Sequence, residues 1–387
     1  MRIAIERFSA DHEPAAAAFN RRLREGRAPT DFVLPERATA MAVGSAALTH
    51  YVAVDEGGEL RGGVLCQEHP AIAGGRLQPV VNIQSPISEG IIDRRFAFVA
   101  PQLIRHVTRL NPLAFAVGMG SAEAPIARLL RASGWRLHTV PFFFRLIHPA
   151  RCLRELRPLR RTKARRLAAA AASATGVASL GSAVVHRVSR AARREAHGFD
   201  LEPVSGWSAW ADAAWQAFVA ACSFGVCRTS GVLPFLYRDG GPDLRAWRLT
   251  REGVVEGWFG LAIARQADSP YFGGLTVATL TDCIGTPAAV RAGLVLAVEQ
   301  AQASGADLVI TNQLHKHLQE ACAAAGWRRG PSNYVLAVSP ALAGSFDAAT
   351  AYVTRRDGDG LTHLVGHGST VPTPEVVQTA EEALAAQ

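Results

Sequence analysis

The stretches RASGWRL (131–137) and AAAGWRR (323–329) close two separate helices with the same run of small residue, Gly, Trp and Arg. They lie 192 positions apart, counted from Gly134 to Gly326 (326 − 134). Elements fall in the same order around each. LQPVVNIQSPIS (77–88) reads as a strand rich in β-branched residues, and PQLIRHVTRL (101–110) sets Leu103, Ile104, Val107 and Leu110 on one helical face. LAFAVGMG (113–120) is a short buried strand. EAPIARLLRASG (123–134) is a helix closed by glycine, and WRLHTVPFFFRLIHP (135–149) returns as a strand.

The second series runs in parallel. YFGGLTVATL (271–280) is a strand, and TPAAVRAGLVLAVEQAQASG (286–305) a helix with Thr286 as N-cap, Pro287 in its first turn and Gly305 at its end. ADLVITN (306–312) is a strand, KHLQEACAAAG (316–326) a helix and NYVLAVSP (333–340) a strand. Strand, helix, strand with short links implies one parallel pair joined by a right-handed crossover. Upstream, HYVAVDEGGELRGGVLCQ (50–67) and LRAWRLTREGVVEGWFGLAIARQ (244–266) both read as hairpins. A helix rich in Ala and aromatics precedes each, EPAAAAFNRRLREG (13–26) and WADAAWQAFVAACSFG (210–225). Two matched series point to an internal duplication.

Composition narrows the class. With 387 residues and 49% hydrophobic content the chain can fill more than one core. Six cysteines include no CxxC pair, which favours reduced thiols over a structural zinc site. The first twenty residues carry acids and no long apolar run, so no secretory signal is read there. The net charge of +8 is local: residues 151–194 hold twelve Lys/Arg and one acid, Glu155, giving +11 there and −3 elsewhere (8 − 11). A run of 19 uncharged residues, Leu167–Val185, sits inside that segment. It is mainly Ala, Ser and Gly, too weakly apolar for a membrane span.

Helix, hairpin, strand, helix, strand, helix ending in Gly-aromatic, strand: this order resembles the GNAT (GCN5-related N-acetyltransferase) acyltransferase fold, present twice. Gly134-Trp135, Gly326-Trp327, Asn312 at the end of LVITN and DLRAWRL (243–249) carry the resemblance, with FemAB-like transferases as neighbours. It implies an α/β (α+β) chain of two GNAT-like domains, 1–150 and 196–345, joined by a basic helical connector, 151–195, and followed by a C-terminal strand and tail, 346–387. It also implies an acyltransferase using acyl-CoA, acetyl-CoA first, with an amine or hydroxyl acceptor on a small molecule or glycan precursor. The alternatives are a FemAB-like transferase using aminoacyl-tRNA and a non-catalytic binding module.

The family's coenzyme A loop and its tyrosine acid are not matched. SPISEGIIDRRF (85–96) has the single Gly90, TDCIGTPAAV (281–290) the single Gly285, and the tyrosine positions hold Leu130 and Cys322. SPISEGIIDRRF is still the better donor site, because Arg94 and Arg95 add positive charge where a strand enters a helical segment. Ser88, Gly90, Ile91, Arg94 and Arg95 are the expected donor-binding residues, and Glu89 the expected general base. Asp93 reads as a helix cap and Cys283 as a small buried hydrophobe. His315 and His317 are expected to point their rings apart, so no metal is expected. RRDGDG (355–360) reads as a turn and not a calcium loop. Through residues 151–194 the expected partners are an anionic membrane surface or tRNA, with no DNA. The expected location is the bacterial cytoplasm, peripheral to the inner face of the membrane.

Overall fold

The computed structural model describes residues 2–28, 33–37, 41–43, 45–157, 190–237, 243–267, 269 and 271–358. Most of the basic connector, including Arg160, Arg161, Arg165, Arg166 and the uncharged run, lies outside the described residues, as does the tail from residue 359.

The first half begins with β1 (Ile3–Arg7) and α1 (Glu13–Glu25), then β2 (Met41–Val43), β3 (Ala46–Asp55), β4 (Leu60–Ala73) and β5 (Arg76–Ser88). Next come α2 (Val99–Leu110), β6 (Ala114–Val117), α3 (Pro125–Ala132), β7 (Arg136–Thr139), β8 (Phe142–Leu146) and α4 (Pro149–Glu155). The second half contains α5 (Arg190–Ala196), β9 (Asp200–Pro203), α6 (Ala209–Val219), β10 (Phe224–Val226), β11 (Asp243–Arg251), β12 (Val254–Arg265) and β13 (Thr276–Gly285). They continue through α7 (Pro287–Ala303), β14 (Leu308–Asn312), α8 (Lys316–Ala324), β15 (Arg328–Gly330), β16 (Val335–Val338) and β17 (Ala351–Tyr352).

The two Gly-Trp pairs terminate α3 and α8 by one mechanism. Gly134 and Gly326 take φ of 85° and 78°, a left-handed conformation that costs glycine little. The Trp135 N–H then reaches back to Leu130 C=O, and the Trp327 N–H to Cys322 C=O. Both indoles end buried, and Trp327 Nε1 donates to Leu294 C=O across the second core at 3.1 Å.

Two sheets form, in the orders β1-β3-β4-β5-β6-β16-β7, with β2, β10 and β17 off this path, and β15-β8-β14-β13-β12-β11-β9. Within each order a single pair is parallel. β5 and β6 meet only at Val81↔Ala114 and Asn82↔Phe115, and β13 and β14 only from Val277↔Leu308 to Thr279↔Ile310. Beyond those rungs the strands part and leave a fork. In both halves the strand on one side of the fork carries a bulge: β5 after Gln84, where Ser85 has φ 45°, and β13 after Leu280.

The returning strands differ from the sequence reading. WRLHTVPFFFRLIHP is two strands that belong to different sheets. β7 stays in the first, and β8 crosses to lie between β14 and β15 of the second. β16 makes the reverse crossing and lies between β6 and β7. Pro141 marks the first crossing and Pro331 precedes the second. Proline has no N–H for a ladder, so a strand breaks there readily.

Candidate functional site

In the first half β5 leads into α2 through residues 89–98. Ser88 Oγ accepts from the Gly90 N–H at 3.3 Å and starts a short 3-10 turn over Glu89–Ile91. A second such turn, Arg94–Phe96, is capped by Asp93, whose carboxylate accepts from the Arg95 N–H at 3.0 Å. Gly90 lets the two turns close on each other: a Cβ there would stand 2.7 Å from Ala97 Cα. Ile91 is exposed, as are Arg94 and Arg95. Arg95 is paired with Asp93 at 2.6 Å, whereas Arg94 makes no ion pair among the described residues. No side chain caps α2, and its first internal bond runs from the Gln102 N–H to Phe98 C=O.

Glu89 stands differently from the general base read in the sequence. It is 5% exposed, and its carboxylate accepts from Arg22 Nε at 2.9 Å and from Arg61 Nη1 at 2.8 Å. Arg22 also donates to Leu60 C=O at 2.6 Å, and Arg61 to Asp55 at 2.8 Å. The guanidinium of Arg61 lies 4.4 Å from the Phe96 ring centre. Two arginines, from α1 and β4, thus fasten the start of the turn to the sheet. Both oxygens of Glu89 are spent on that clamp.

The corresponding place in the second half has no loop. β13 ends at Gly285, Thr286 caps α7 directly, and Pro287 opens the helix. Thr286 Oγ1 accepts from the Ala289 N–H at 3.2 Å and donates to Glu256 at 2.8 Å. Gly285 lies so close to β12 that a Cβ would come within 2.3 Å of Glu256 C=O. One of these helix-end donors, the Ala289 N–H, is thus already taken. Cys283 is fully buried, and burial pushes its thiol far up.

Between the two sheets lies a buried polar seam, built from second-half residues, that no sequence motif announced. Arg228, with no exposed surface, donates to Asp282 at 3.1 Å, Asp357 at 2.8 Å and Val226 C=O at 3.0 Å. Asp282 also accepts from Tyr237 Oη at 2.7 Å and Tyr352 Oη at 2.8 Å. Gly260 leaves room for that tyrosine, since a Cβ there would stand 2.9 Å from Tyr237 Oη. Burial pushes the Asp357 carboxyl up, against the pull of Arg228, while the two tyrosine hydroxyls are raised by burial and then by Asp282.

Leu130 and Cys322, at the tyrosine positions of the family pattern, are both buried in the cores. His315 precedes α8 with an extended backbone, so its ring lies 5.5 Å from that of His317 instead of pointing away. No group of three His, Cys, Asp or Glu side chains suited to a metal occurs among the described residues. Arg355–Asp357 forms a 3-10 turn capped by Thr354. No helix among the described residues is long and apolar enough to cross a membrane.

No protein-family model matches the sequence, and no curated protein matches it. Solved structures do. A GCN5-related N-acetyltransferase from Anabaena variabilis aligns over 87% of this chain and 72% of its own, with a TM-score of 0.51 and 12% identity. The fold is that of the GCN5-related N-acetyltransferases. Here it occurs in tandem, once per sheet. At lower TM-scores stand a GCN5-related glucosamine N-acetyltransferase region of a fungal β-N-acetylglucosaminidase and a tandem GNAT protein from the clavulanic acid pathway. The former has a TM-score of 0.49, 11% identity and coverage of 87% of this chain and 38% of its own. The latter has 0.45, 13%, 87% and 99%. In this tandem GNAT fold the two forks are unequal: one opens onto exposed arginines and a helix start with no side-chain cap, the other onto a helix end capped by Thr286.

Proposed function

We propose that the chain is an acyltransferase whose acyl-CoA donor, acetyl-CoA first, lies over the 89–98 turn of the first half. The observation that carries this is the inequality of the two turns. The first has a helix α2 with no side-chain cap and the exposed Arg94, which makes no ion pair among the described residues, while in the second Thr286 takes the Ala289 N–H. Free N–H groups at a helix start, with a guanidinium beside them, suit a pyrophosphate. Ser88, Gly90 and Ile91 shape the turn, and Arg94 and Arg95 face the anion. The amine or hydroxyl of a small molecule or glycan precursor would attack the thioester carbon. The carbon–sulfur bond breaks, coenzyme A leaves as the thiolate, and the proton the acceptor loses converts it to the thiol. We assign Glu89 to anchoring the turn through Arg22 and Arg61 rather than to taking that proton.

The clamp on Glu89 also favours a second reading, a GNAT-fold module that binds a ligand without turnover. In either case we propose that the twelve basic residues of 151–194 attract an anionic partner, a membrane surface or tRNA, at the cytoplasmic face of the membrane. Calorimetric titration with acetyl-CoA and longer acyl-CoAs tests the proposal. Arg94→Ala should weaken the donor by about tenfold, the loss of one charge-assisted contact. Binding no tighter than millimolar by any acyl-CoA would retire the enzyme reading.

A further inference from the structure

The eight residues Ala351–Gly358 touch both forks, and they hold the two in different ways. At the second fork they bond to both arms. β17 pairs with β10, which brings Tyr352 Oη to the Asp282 carboxylate on β13. Arg355 Nε donates to Asn312 Oδ1 at 2.7 Å on β14, with its guanidinium near the Phe142 and Tyr334 rings. Arg228 ties Asp282 to Asp357, so charge as well as hydrogen bonding closes this side. Thr311 Oγ1 bridges directly to Leu280 C=O at 2.9 Å, drawing the arms together.

The contacts at the first fork are neutral. Asn82, the last residue of β5 to pair with β6, donates Nδ2 to Asp357 C=O at 2.6 Å. Its Oδ1 is buried and has no partner among the described residues, so half of this amide's bonding capacity is unused. Gly358 lies against Val117 of β6, where a Cβ would come within 2.3 Å of Tyr334 Oη and 2.9 Å of Val117 C=O.

We propose that Ala351–Gly358 is an internal latch that keeps the second fork shut and covers the first with a contact a ligand can displace. Opening the second fork strands buried charges, whereas releasing Asn82 exchanges one neutral hydrogen bond for another. A ligand entering between β5 and β6 can take up the free Asn82 Oδ1 and the space held by Gly358. The inference rests on the proposed function only in its choice of acyl-CoA as probe.

Amide hydrogen exchange on the full chain, with and without saturating acetyl-CoA, tests the latch. Acetyl-CoA should speed exchange over 354–358 by about threefold or more and leave 280–284 and 311–315 unchanged. Protection appearing in 280–284 or 311–315 would overturn the latch, as would unchanged 354–358 with newly protected 83–90. If acetyl-CoA does not bind at all, the functional reading fails and the latch is judged on the free protein. Asn82→Leu should then speed exchange over 354–358, and Arg355→Ala over 311–315. Wild-type exchange in both variants would overturn it.

Discussion

Arg228 and Asp282 face each other at 3.1 Å with neither side chain exposed, although 54 positions separate them. Such a pair is fragile to the loss of one member. Arg228→Met leaves Asp282 and Asp357 without their buried cation and should cost about 3–5 kcal/mol. Urea unfolding measures it; an unchanged midpoint would mean the seam does not hold the two sheets together.

Stability should also fall with acid through His50. Burial drives its pKa down from 6.5 to about 4, and Nδ1 has no partner among the described residues. The folded state therefore binds fewer protons than the unfolded one. This contribution is fully present above pH 6.5 and shrinks as pH drops from 6.5 towards 4. His50→Gln should flatten that part of a melting-temperature profile, and a profile parallel to wild type would count against the assignment.

Gly90→Ala should separate turn from fold. Its Cβ would stand 2.7 Å from Ala97 Cα and 2.8 Å from Phe96 C=O, so the 3-10 turns must part. Donor affinity should drop by about tenfold while the β-sheet circular-dichroism signal and cooperative melt persist. Equal acetyl-CoA affinity in variant and wild type would place the donor elsewhere.

A similar separation applies to Glu89. As an anchor, Glu89→Gln loosens Arg22 and Arg61 and should lower melting temperature and donor affinity together. As a base it would abolish turnover and leave affinity intact. Paired calorimetry and kinetics on the one variant tell these apart.

Fragments 1–157 and 158–387, expressed separately, should not fold alone, because β8 belongs in the second sheet and β16 in the first. Co-expressed, they should copurify. A monomeric 1–157 with a cooperative melt would contradict this.

What the sequence disclosed was local. A glycine cap, a Pro at a helix start or an apolar face is decided by neighbours a turn away, so α3, α7 and α8 and both hairpins could be read directly. The doubling followed from them. The exchange of β8 and β16 was invisible, because an apolar run such as FFFRL does not say which sheet will flank it and Pro141 says only that a strand breaks. Glu89 looked free because Arg22 and Arg61 approach from α1 and β4, at no fixed spacing. Arg228, Asp282 and Asp357 share no motif, and only tertiary packing brings them together.

The crossing strands also set a schedule for synthesis. Leu137 of β7 pairs with Ala337 of β16, so the first sheet cannot close until most of the chain has left the ribosome. Until then β6 presents an open edge, and the apolar β8 has no partner strand. Such far-apart pairings slow folding, and an unpaired edge invites association with other chains. In the cell, the hazard for this protein lies in the interval between making its first half and finishing its second.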